Sequence, residues 1–414
     1  MLKKNNIFFN HFAFLFAIFV DGITISIVFP ILDILLINER TTILSHQSTV
    51  YFREIVYSFV IFIYTVSWAW GNAFMSALSD KIGRKPTLLF AMMGRMVGFI
   101  LTILCIVLSS LSLLILGRII EGLTNGVQPE AEAVGCDLSP TRQLKPTYIG
   151  YMLLPVAIGD LVGGTLTEYV NQFSWLGEDI SARSLYFGLL MSGIAFILVA
   201  FFSKETFAPS SRSRPIGFFY PVQIFIEAIR EKIVLILGAI FIISVIGWGC
   251  FYNYLATFAA GQYHFSESQT GLLMTTMSIG FFLGWGFLVR FFHTLWKSMD
   301  VFILTETGGA IVILLIILIP NSWLLWFFVP LAALFIVIGY TAMLGLFANA
   351  VSSKKQGWVM GIAGAIHFLA FALSGLVATL FIRISITAIF YAAVVLISLS
   401  VGMMIFFKRL YNPS

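Results

Sequence analysis

Twelve long apolar segments constrain this chain more than any other feature of its sequence. Their approximate bounds are residues 8–37, 55–78, 87–109, 111–134, 146–171, 185–203, 232–259, 268–291, 300–319, 322–349, 357–381 and 386–407. About 20 apolar residues in a helix cross a hydrocarbon core about 30 Å thick. Because a spanning segment must satisfy its own backbone hydrogen bonds, a helix is the structure expected for each segment. The sequence therefore predicts an all-α membrane protein with twelve transmembrane helices.

The composition supports a lipid environment and excludes several other classes. Of the 414 residues, 59% are hydrophobic and 10% are charged, whereas soluble proteins average about 25% charged residues. The net charge of +5 would suggest nucleic-acid binding in a soluble domain, but here the basic residues lie mainly in loops. We therefore expect a lipid bilayer and no nucleic acid as a partner.

The basic residues also predict the orientation of the chain. An even number of spans places both termini on one side of the membrane. If that side is the cytoplasm, 18 of the 24 lysines and arginines are cytoplasmic, and four arginines, Arg40, Arg53, Arg183 and Arg383, lie opposite. This asymmetry follows the positive-inside rule. It predicts a multi-pass protein of a bacterial-type inner membrane with cytoplasmic termini.

A polar stretch at residues 204–231 divides the apolar segments into six plus six. We predict an N-terminal six-helix bundle at 1–203, a cytoplasmic linker at 204–231 and a C-terminal six-helix bundle at 232–414. Residues 222–232 have the pattern of an amphipathic surface helix. Three cysteines without paired spacing indicate neither a disulfide framework nor a metal site. No cofactor is expected.

The tight turn between the second and third spans carries a recognisable motif. It reads Ser76-Ala-Leu-Ser-Asp80-Lys-Ile-Gly83-Arg84-Lys85-Pro86, and it resembles the loop signature of the major facilitator superfamily (MFS), with Ser76 and Lys81 as departures. The resemblance implies two six-helix halves with a substrate site between them near the midplane. It also implies a conformational latch formed by Asp80, Gly83, Arg84, Lys85 and Asp137, including a bond between Asp137 and Arg84. Asp80 can in addition accept backbone N–H bonds at a helix start.

Three further spans resemble motifs of the drug:proton antiporter group, which includes tetracycline and multidrug exporters. Asp21 and Gly22 open a first-helix motif in which Ser26 and Asp33 are departures. Arg118 opens a Gly-Arg-x-x-x-Gly-x-x-x-Gly motif in the fourth span. The fifth span contains an antiporter-like glycine ridge, with Asp160 where the family has proline. Small residues let helices approach closely in lipid, so helix packing is the role predicted for Gly122, Gly126, Gly159, Gly163 and Gly164.

Charged groups inside a bilayer cost several kcal/mol and usually mark a pathway or relay. Proton coupling is therefore the predicted role of Asp21, Arg118, Asp160 and His367. Each of these residues also has an alternative role. Asp21 could contact a cationic substrate or only pack helices, and Arg118 could form a fixed ion pair. Asp160 could bond Arg95 or Arg118, and His367 could be a packing residue. Glu121 and Asp21 are the acids expected near Arg118. Tetracycline exporters have an acid where this chain has Gly98, and the absence of that acid argues against tetracycline itself as the substrate.

Aromatic and polar residues in the second half suggest a wall for a large apolar or cationic ligand. Substrate binding is the predicted role of Trp248, Tyr252, Asn253 and Glu306. The aromatic residues of the seventh span could instead face lipid at the membrane interface.

These patterns favour a proton-coupled MFS antiporter that exports an amphipathic small molecule or drug, with protons and the substrate as partners and a monomer as the expected state. The alternative is an MFS importer of a nutrient, such as an amino acid or nucleoside, or of a metallophore. A third possibility is a non-transporting scaffold or receptor. An enzyme is not indicated, because the sequence shows no nucleophile–base pair, phosphate loop or metal-ligand spacing.

Overall fold

The computed structural model describes residues 12–36, 43–44, 48–171, 180–205, 220–265, 267–319, 321–352, 355–382 and 384–411. These residues form helices and connecting turns, and no strand occurs among them. The helices are α1 Phe12–Leu36, α2 Val50–Ile82, α3 Arg84–Leu108, α4 Leu111–Thr124, α5 Val127–Leu138, α6 Lys145–Asn171, α7 Ile180–Phe202, α8 Tyr220–Arg230, α9 Lys232–Tyr263, α10 Glu267–Leu283, α11 Val289–Leu295, α12 Ser298–Leu318, α13 Ser322–Ala350, α14 Gln356–Ile382 and α15 Ile386–Tyr411. A π-helical turn, Gly284–Leu288, joins α10 to α11.

The helices coincide closely with the predicted spans. Within the described residues, nine helices are long and apolar enough to cross a membrane, and each overlaps a predicted segment. The predicted first and fifth segments hold α1 and α6. The prediction of one uninterrupted helix over 111–134 was wrong, because extended backbone at Asn125 separates α4 from α5. Pro129 then lies in the first turn of α5, where its missing N–H costs no helical hydrogen bond.

Two compact units can be distinguished in the chain. The first comprises residues 1–131 and 155–221, and the second comprises residues 132–154 and 222–414. These units are defined by packing, whereas the predicted boundaries at 203 and 232 rest on the polar linker. The predicted domain boundaries therefore stay a prediction. The predicted surface helix of the linker corresponds to α8.

In the first unit, α3 packs against α4 and α7, α1 packs against α7, and α2 packs against α4. Apolar side chains of α1, α2, α3, α4 and α7 share one core. The approach of α6 to α1 is close enough to exclude side chains at two glycines. A Cβ atom added at Gly159 would meet the Phe19 carbonyl, and one added at Gly22 would meet the Val156 carbonyl. The glycine ridge read from the sequence is thus a helix crossing at which backbone lies against backbone.

In the second unit, α9 is the central helix and packs against α14 and α15. The helix α13 packs against α10 and α12, and α12 also packs against α15. The core of this unit is mainly aromatic and aliphatic, and it includes the stacked rings of Phe258 and Phe390, whose centroids are 4.3 Å apart. Many large apolar side chains of this unit point outward, among them Trp323 and Leu380, as expected for surfaces that face lipid.

The turn between α2 and α3 is held by Glu205, which lies just after the end of α7. The Glu205 carboxylate accepts hydrogen bonds from the backbone N–H of Arg84 at 2.9 Å and of Lys85 at 3.1 Å. Gly83 has φ of 105° and ψ of 162°, a backbone conformation that disfavours residues with a Cβ atom. A Cβ atom there would also meet the Glu205 carboxylate. Glu205 therefore fills the capping role that the sequence analysis gave to Asp80.

Replacing Glu205 by alanine is expected to lower stability by about 1 kcal/mol, the usual value of a helix cap. A thermal melt of the purified protein, followed by tryptophan fluorescence, measures the change. Glu231→Gln is the matched control, because Glu231 and its partner Lys355 are both more than half exposed and such ion pairs contribute little. Equal melting temperatures for Glu205→Ala and the unchanged protein would contradict the capping role.

Candidate functional site

The first buried ion pair joins α1 to α3. Asp21 on α1 is completely buried, and Arg95 on α3 is 4% exposed. The Arg95 guanidinium donates through Nη2 to Oδ1 of Asp21. Within the described part of the chain, Oδ2 of Asp21 is buried without a hydrogen-bond partner. Asp21 is thus a carboxylate held in the bundle interior by one arginine, with one oxygen left uncompensated.

The second buried ion pair lies on α4. Nη2 of Arg118 is 2.7 Å from Oε2 of Glu121, one turn further along the helix. The same nitrogen donates to Oγ1 of Thr102 on α3 at 3.0 Å. The guanidinium also lies 5.9 Å from the centre of the Tyr64 ring on α2, within the range of a cation–π interaction. Arg118 and Glu121 therefore connect α2, α3 and α4.

The two ion pairs belong to one region of the first unit. A Cβ atom added at Gly98 would lie 2.9 Å from Cβ and 3.1 Å from Oε2 of Glu121. Glu121 therefore packs against α3 one turn after Arg95. A cavity of about 10 Å³ touches the second pair and is lined by Thr24, Ile25, Val28, Leu32, Ile61, Tyr64, Arg118 and Glu121. Such a volume is close to the smallest that holds one water molecule.

Asp160, the second acid predicted for proton coupling, lies at the crossing of α6 and α1. Ser26 on α1 donates through its hydroxyl to Oδ1 of Asp160 and, at 3.0 Å, to the backbone carbonyl of the same residue. The arginines that the sequence analysis offered as partners are bonded elsewhere, Arg95 to Asp21 and Arg118 to Glu121. Two of the departures from the family motifs, Ser26 and Asp160, thus contact each other.

In the second unit, two of the predicted substrate-binding residues bond directly. The indole N–H of Trp248 on α9 lies 3.1 Å and 3.0 Å from the two carboxylate oxygens of Glu306 on α12. Glu306 is 1% exposed. A Cβ atom added at Gly339 on α13 would lie 2.9 Å from Oε1 of Glu306, so α13 closes over the carboxylate. Glu306 is therefore an acid enclosed by three helices.

The other two predicted substrate-binding residues face α14. Asn253 donates to the Ser374 hydroxyl at 3.0 Å. Tyr252 makes an edge-to-face contact with Phe371, with ring centroids 5.6 Å apart. The structure thus places these residues in two separate contacts, Trp248 with Glu306 and the Tyr252–Asn253 pair with α14.

His367 on α14 lies in an aromatic cluster. Its ring centroid is 5.2 Å from that of Tyr340 and 6.0 Å from that of Phe241. Nδ1 of His367 is buried without a hydrogen-bond partner among the described residues. The Tyr340 hydroxyl donates to Glu132 at 2.7 Å. The surroundings of His367 are therefore mainly apolar. The Tyr340 ring that His367 contacts carries the hydroxyl that is bonded to Glu132.

The latch residues of the first unit form a compact network. Nη1 of Arg84 donates to Oδ1 of Asp80 at 2.9 Å and to Oγ of Ser79 at 2.7 Å. The Ser79 hydroxyl in turn donates to Glu130 on α5. Lys85 donates to the Ala200 carbonyl at 2.8 Å. Asp137 belongs to the second unit, and its bond to Arg84 stays a prediction.

Each predicted packing glycine whose surroundings are described lies against a neighbouring helix, and Gly126 does so from the break between α4 and α5. A Cβ atom at Gly122 would meet Ser67 and one at Gly126 would meet Met75, both on α2, and one at Gly163 would meet Ser26 on α1. Gly164 is helical, but its surroundings lie outside the described side chains.

Two contacts were not anticipated from the sequence. The sequence offered Arg95 only as a possible partner of Asp160, and nothing near it in the sequence indicated Asp21 as its partner. Tyr340 had not been singled out, although a lone tyrosine beside Gly339 in an apolar helix is a usable signal. Both contacts join helices that are far apart in the chain. Predicting them requires knowing how each helix is rotated about its own axis, which the sequence alone does not give.

Comparisons with known proteins agree with this architecture. The Major Facilitator Superfamily profile matches residues 14–294. The class C tetracycline resistance protein of Escherichia coli is 22% identical over 372 residues, 89% of this chain and 87% of that protein. The class H protein of Pasteurella multocida is 27% identical over 190 residues, and the match spans only 42% of its length.

Solved structures show the same fold. The human organic anion transporter MFSD10 (TETRAN) matches with a TM-score of 0.80 at 17% identity, covering 95% of this chain and 98% of that one. The proton:xylose symporter XylE matches with a TM-score of 0.72 at 12% identity, covering 96% and 94%. The chain therefore belongs to the major facilitator superfamily and is a multi-pass membrane transporter rather than an enzyme.

Proposed function

We propose that this protein is a proton-coupled antiporter that exports an amphipathic small molecule. The observation that carries the proposal is the set of four buried charges in the first unit, Asp21 with Arg95 and Glu121 with Arg118. Burying ions costs several kcal/mol each, and replacement by apolar groups is often more stable. Charges retained inside a membrane bundle therefore favour a role in transport over one in stability alone.

The four buried charges balance one another, and proton binding therefore favours a change of conformation. Two carboxylates and two guanidinium groups sum to zero. Arginine does not lose its proton in proteins, so proton uptake occurs on Asp21 or Glu121. A single added proton leaves an uncompensated positive charge in the apolar interior, which is relieved when an arginine moves to another acceptor or to water. Protonation thus favours a different arrangement of α1, α3 and α4.

Access for the proton is supported by the small cavity beside Arg118 and Glu121. A water molecule there would contact a carboxylate, a guanidinium and the Tyr64 side chain. We assign Glu121 to the proton-coupling set beside the predicted Asp21 and Arg118. Asp160 is the third acid of the proposed set, and its proton state alters its hydrogen bond with Ser26. His367 remains a candidate in the second unit.

The substrate is proposed to contact the second unit near Trp248 and Glu306. Because Trp248 already donates to both oxygens of Glu306, an arriving cation must share the carboxylate or displace the indole. Tyr252 and Asn253 add an aromatic face and an amide on the same helix. The relatives that are tetracycline resistance proteins support export of an amphipathic molecule over uptake of a nutrient.

Reconstituted proteoliposomes test the proposed function. With an imposed pH gradient, tetracycline and the amphipathic cation ethidium are supplied separately, and their movement against the direction of proton flow is measured. Gradient-driven movement of either compound, collapsed by a protonophore, is the expected result. Flux that ignores the gradient would contradict coupling, and accumulation of amino acids, nucleosides or metallophores in intact cells would favour the importer instead.

A further inference from the structure

A second cavity lies in the second unit, away from the buried charges described above. Its volume is about 260 Å³, and its lining consists of Gln143, Lys297, Ser298, Met299, Asp300, Leu346, Asn349 and Lys408. The lining comes from the turn before α6, the start of α12 and the ends of α13 and α15. We propose that this cavity binds a phosphate group, and that an anionic phospholipid of the adjacent leaflet supplies it.

The charges of the cavity favour an anion. Lys408 forms an ion pair with Asp300, so these two side chains neutralise each other. Lys297 is exposed, and no acidic partner is found for it among the described residues. The lining therefore carries one surplus positive charge. A single negative charge, as on a phosphodiester, balances it.

The hydrogen-bond donors of the cavity match a phosphate. The 21-residue helix α12 begins at Ser298, and its preceding residue Lys297 gives no side-chain cap. The N–H groups of Asp300 and Val301 already bond to the Lys297 carbonyl, whereas those of Ser298 and Met299 precede the first helical bonds. Unpaired N–H groups and the helix dipole favour a phosphate at such an end, and Lys297 adds the charge that the helix end alone lacks.

Two amides of the lining are held by hydrogen bonds to backbone carbonyls. Gln143 donates to the His293 carbonyl at 3.4 Å, and Asn349 donates to the Arg142 carbonyl at 3.2 Å. Both side chains are thereby held in place in the lining. A volume of about 260 Å³ lies below the range of about 300–1,000 Å³ usual for drug-sized ligands. A headgroup fits this volume better than a transported drug.

Exposed apolar side chains beside the cavity indicate the source of the phosphate. Leu295 is 56% exposed and Trp296 41%. Both residues directly precede Lys297 of the lining. Tryptophan and aliphatic residues at such a position contact the headgroup–acyl boundary of a bilayer. A phosphate presented by a lipid therefore satisfies both the basic cavity and its apolar rim.

Binding of defined probes to the full-length protein in detergent, followed by native mass spectrometry and thermal melting, tests the proposal. Short-chain phosphatidylglycerol is compared with glycerol 3-phosphate, which carries a phosphate without acyl chains, and with zwitterionic phosphatidylcholine. We expect phosphatidylglycerol to bind more tightly than phosphatidylcholine. The variant Lys297→Gln should weaken this binding about tenfold, the effect of losing one charge-assisted hydrogen bond, and Lys297→Arg should retain most of it.

The matched control is Arg409→Gln, which removes the same charge from an exposed neighbour of Lys408 outside the lining. Binding of phosphatidylglycerol alone supports the lipid as the source, and binding of glycerol 3-phosphate as well supports recognition of the phosphate itself. Equal weakening by Arg409→Gln and Lys297→Gln overturns the proposal, because it shows only general attraction by surface charge. Absence of any preference for the anionic lipid overturns it as well.

Discussion

Replacing Asp21 by Asn and Arg95 by Gln in the same molecule is expected to restore much of the stability that either single replacement removes, without restoring proton-driven transport. Each single replacement leaves one charge buried without its partner, because Asp21 is fully buried and Arg95 nearly so. Breaking a buried ion pair in this way typically costs about 3–5 kcal/mol, whereas removing both charges is often close to neutral. The double variant therefore separates folding from coupling.

Two measurements check this prediction on the same four proteins. Thermal melting of the unchanged, single and double variants gives the interaction free energy between the two residues. Flux in proteoliposomes under an imposed pH gradient gives the coupling. The exposed pair Glu231 and Lys355 serves as a control, because replacing both by Gln should alter neither quantity. Normal gradient-driven transport by the double variant would show that Asp21 only packs helices.

Replacing Gly159 by Leu is expected to abolish the folded transporter. The first added atom, Cβ, would meet the backbone carbonyl of Phe19, and the backbone nitrogen of Ile23 would lie 3.0 Å away. Backbone atoms cannot move aside as a flexible side chain does, so α1 and α6 must separate along their shared crossing. Overpacking of a tight interior usually costs about 1–3 kcal/mol, and more where the backbone must shift.

Gly375→Leu is the matched control for this prediction. Gly375 also lies inside a long helix, α14, but an added Cβ atom there meets no other atom within 4 Å. The yield of monodisperse protein after size-exclusion chromatography is the measurement, with Gly22→Leu as a second variant on the facing helix. A normal yield for Gly159→Leu together with a low yield for Gly375→Leu would contradict the described crossing.

The helices of this protein could be predicted well from the sequence, because lipid imposes length and apolar character on every span. The glycine motifs also predicted where helices approach closely, since only small residues permit such contacts. The break between α4 and α5 was not predicted, although Asn125, Gly126 and Pro129 are residues typical of turns and helix starts. Glycine and proline are also frequent inside transmembrane helices, so their presence alone did not locate the break.

The sequence placed Glu121 near Arg118, and the two residues pair, because they lie one turn apart on the same helix. The partner of Asp21 could not be predicted, because pairing between helices depends on how each helix is rotated. Asp21 was placed near Arg118 by its resemblance to related motifs, whereas the structure pairs it with Arg95. Glu121 pairs with Arg118 and also packs against Gly98, the position at which tetracycline exporters have an acid. An acid is thus present in this region, but it comes from the neighbouring helix, which motif comparison along one helix does not reveal.

The hydrogen bond between Ser26 and Asp160 has a practical consequence for chimeric transporters. Considered alone, Ser26 is a lost glycine of the first-helix motif, and Asp160 is a lost proline of the fifth-span motif. Together they form a donor–acceptor pair, because each of the two partly buried polar groups would lose this hydrogen-bond partner if the other were replaced. A chimera that takes only its first or only its fifth span from a relative inherits half of this pair, whereas grafting both spans together keeps donor and acceptor consistent.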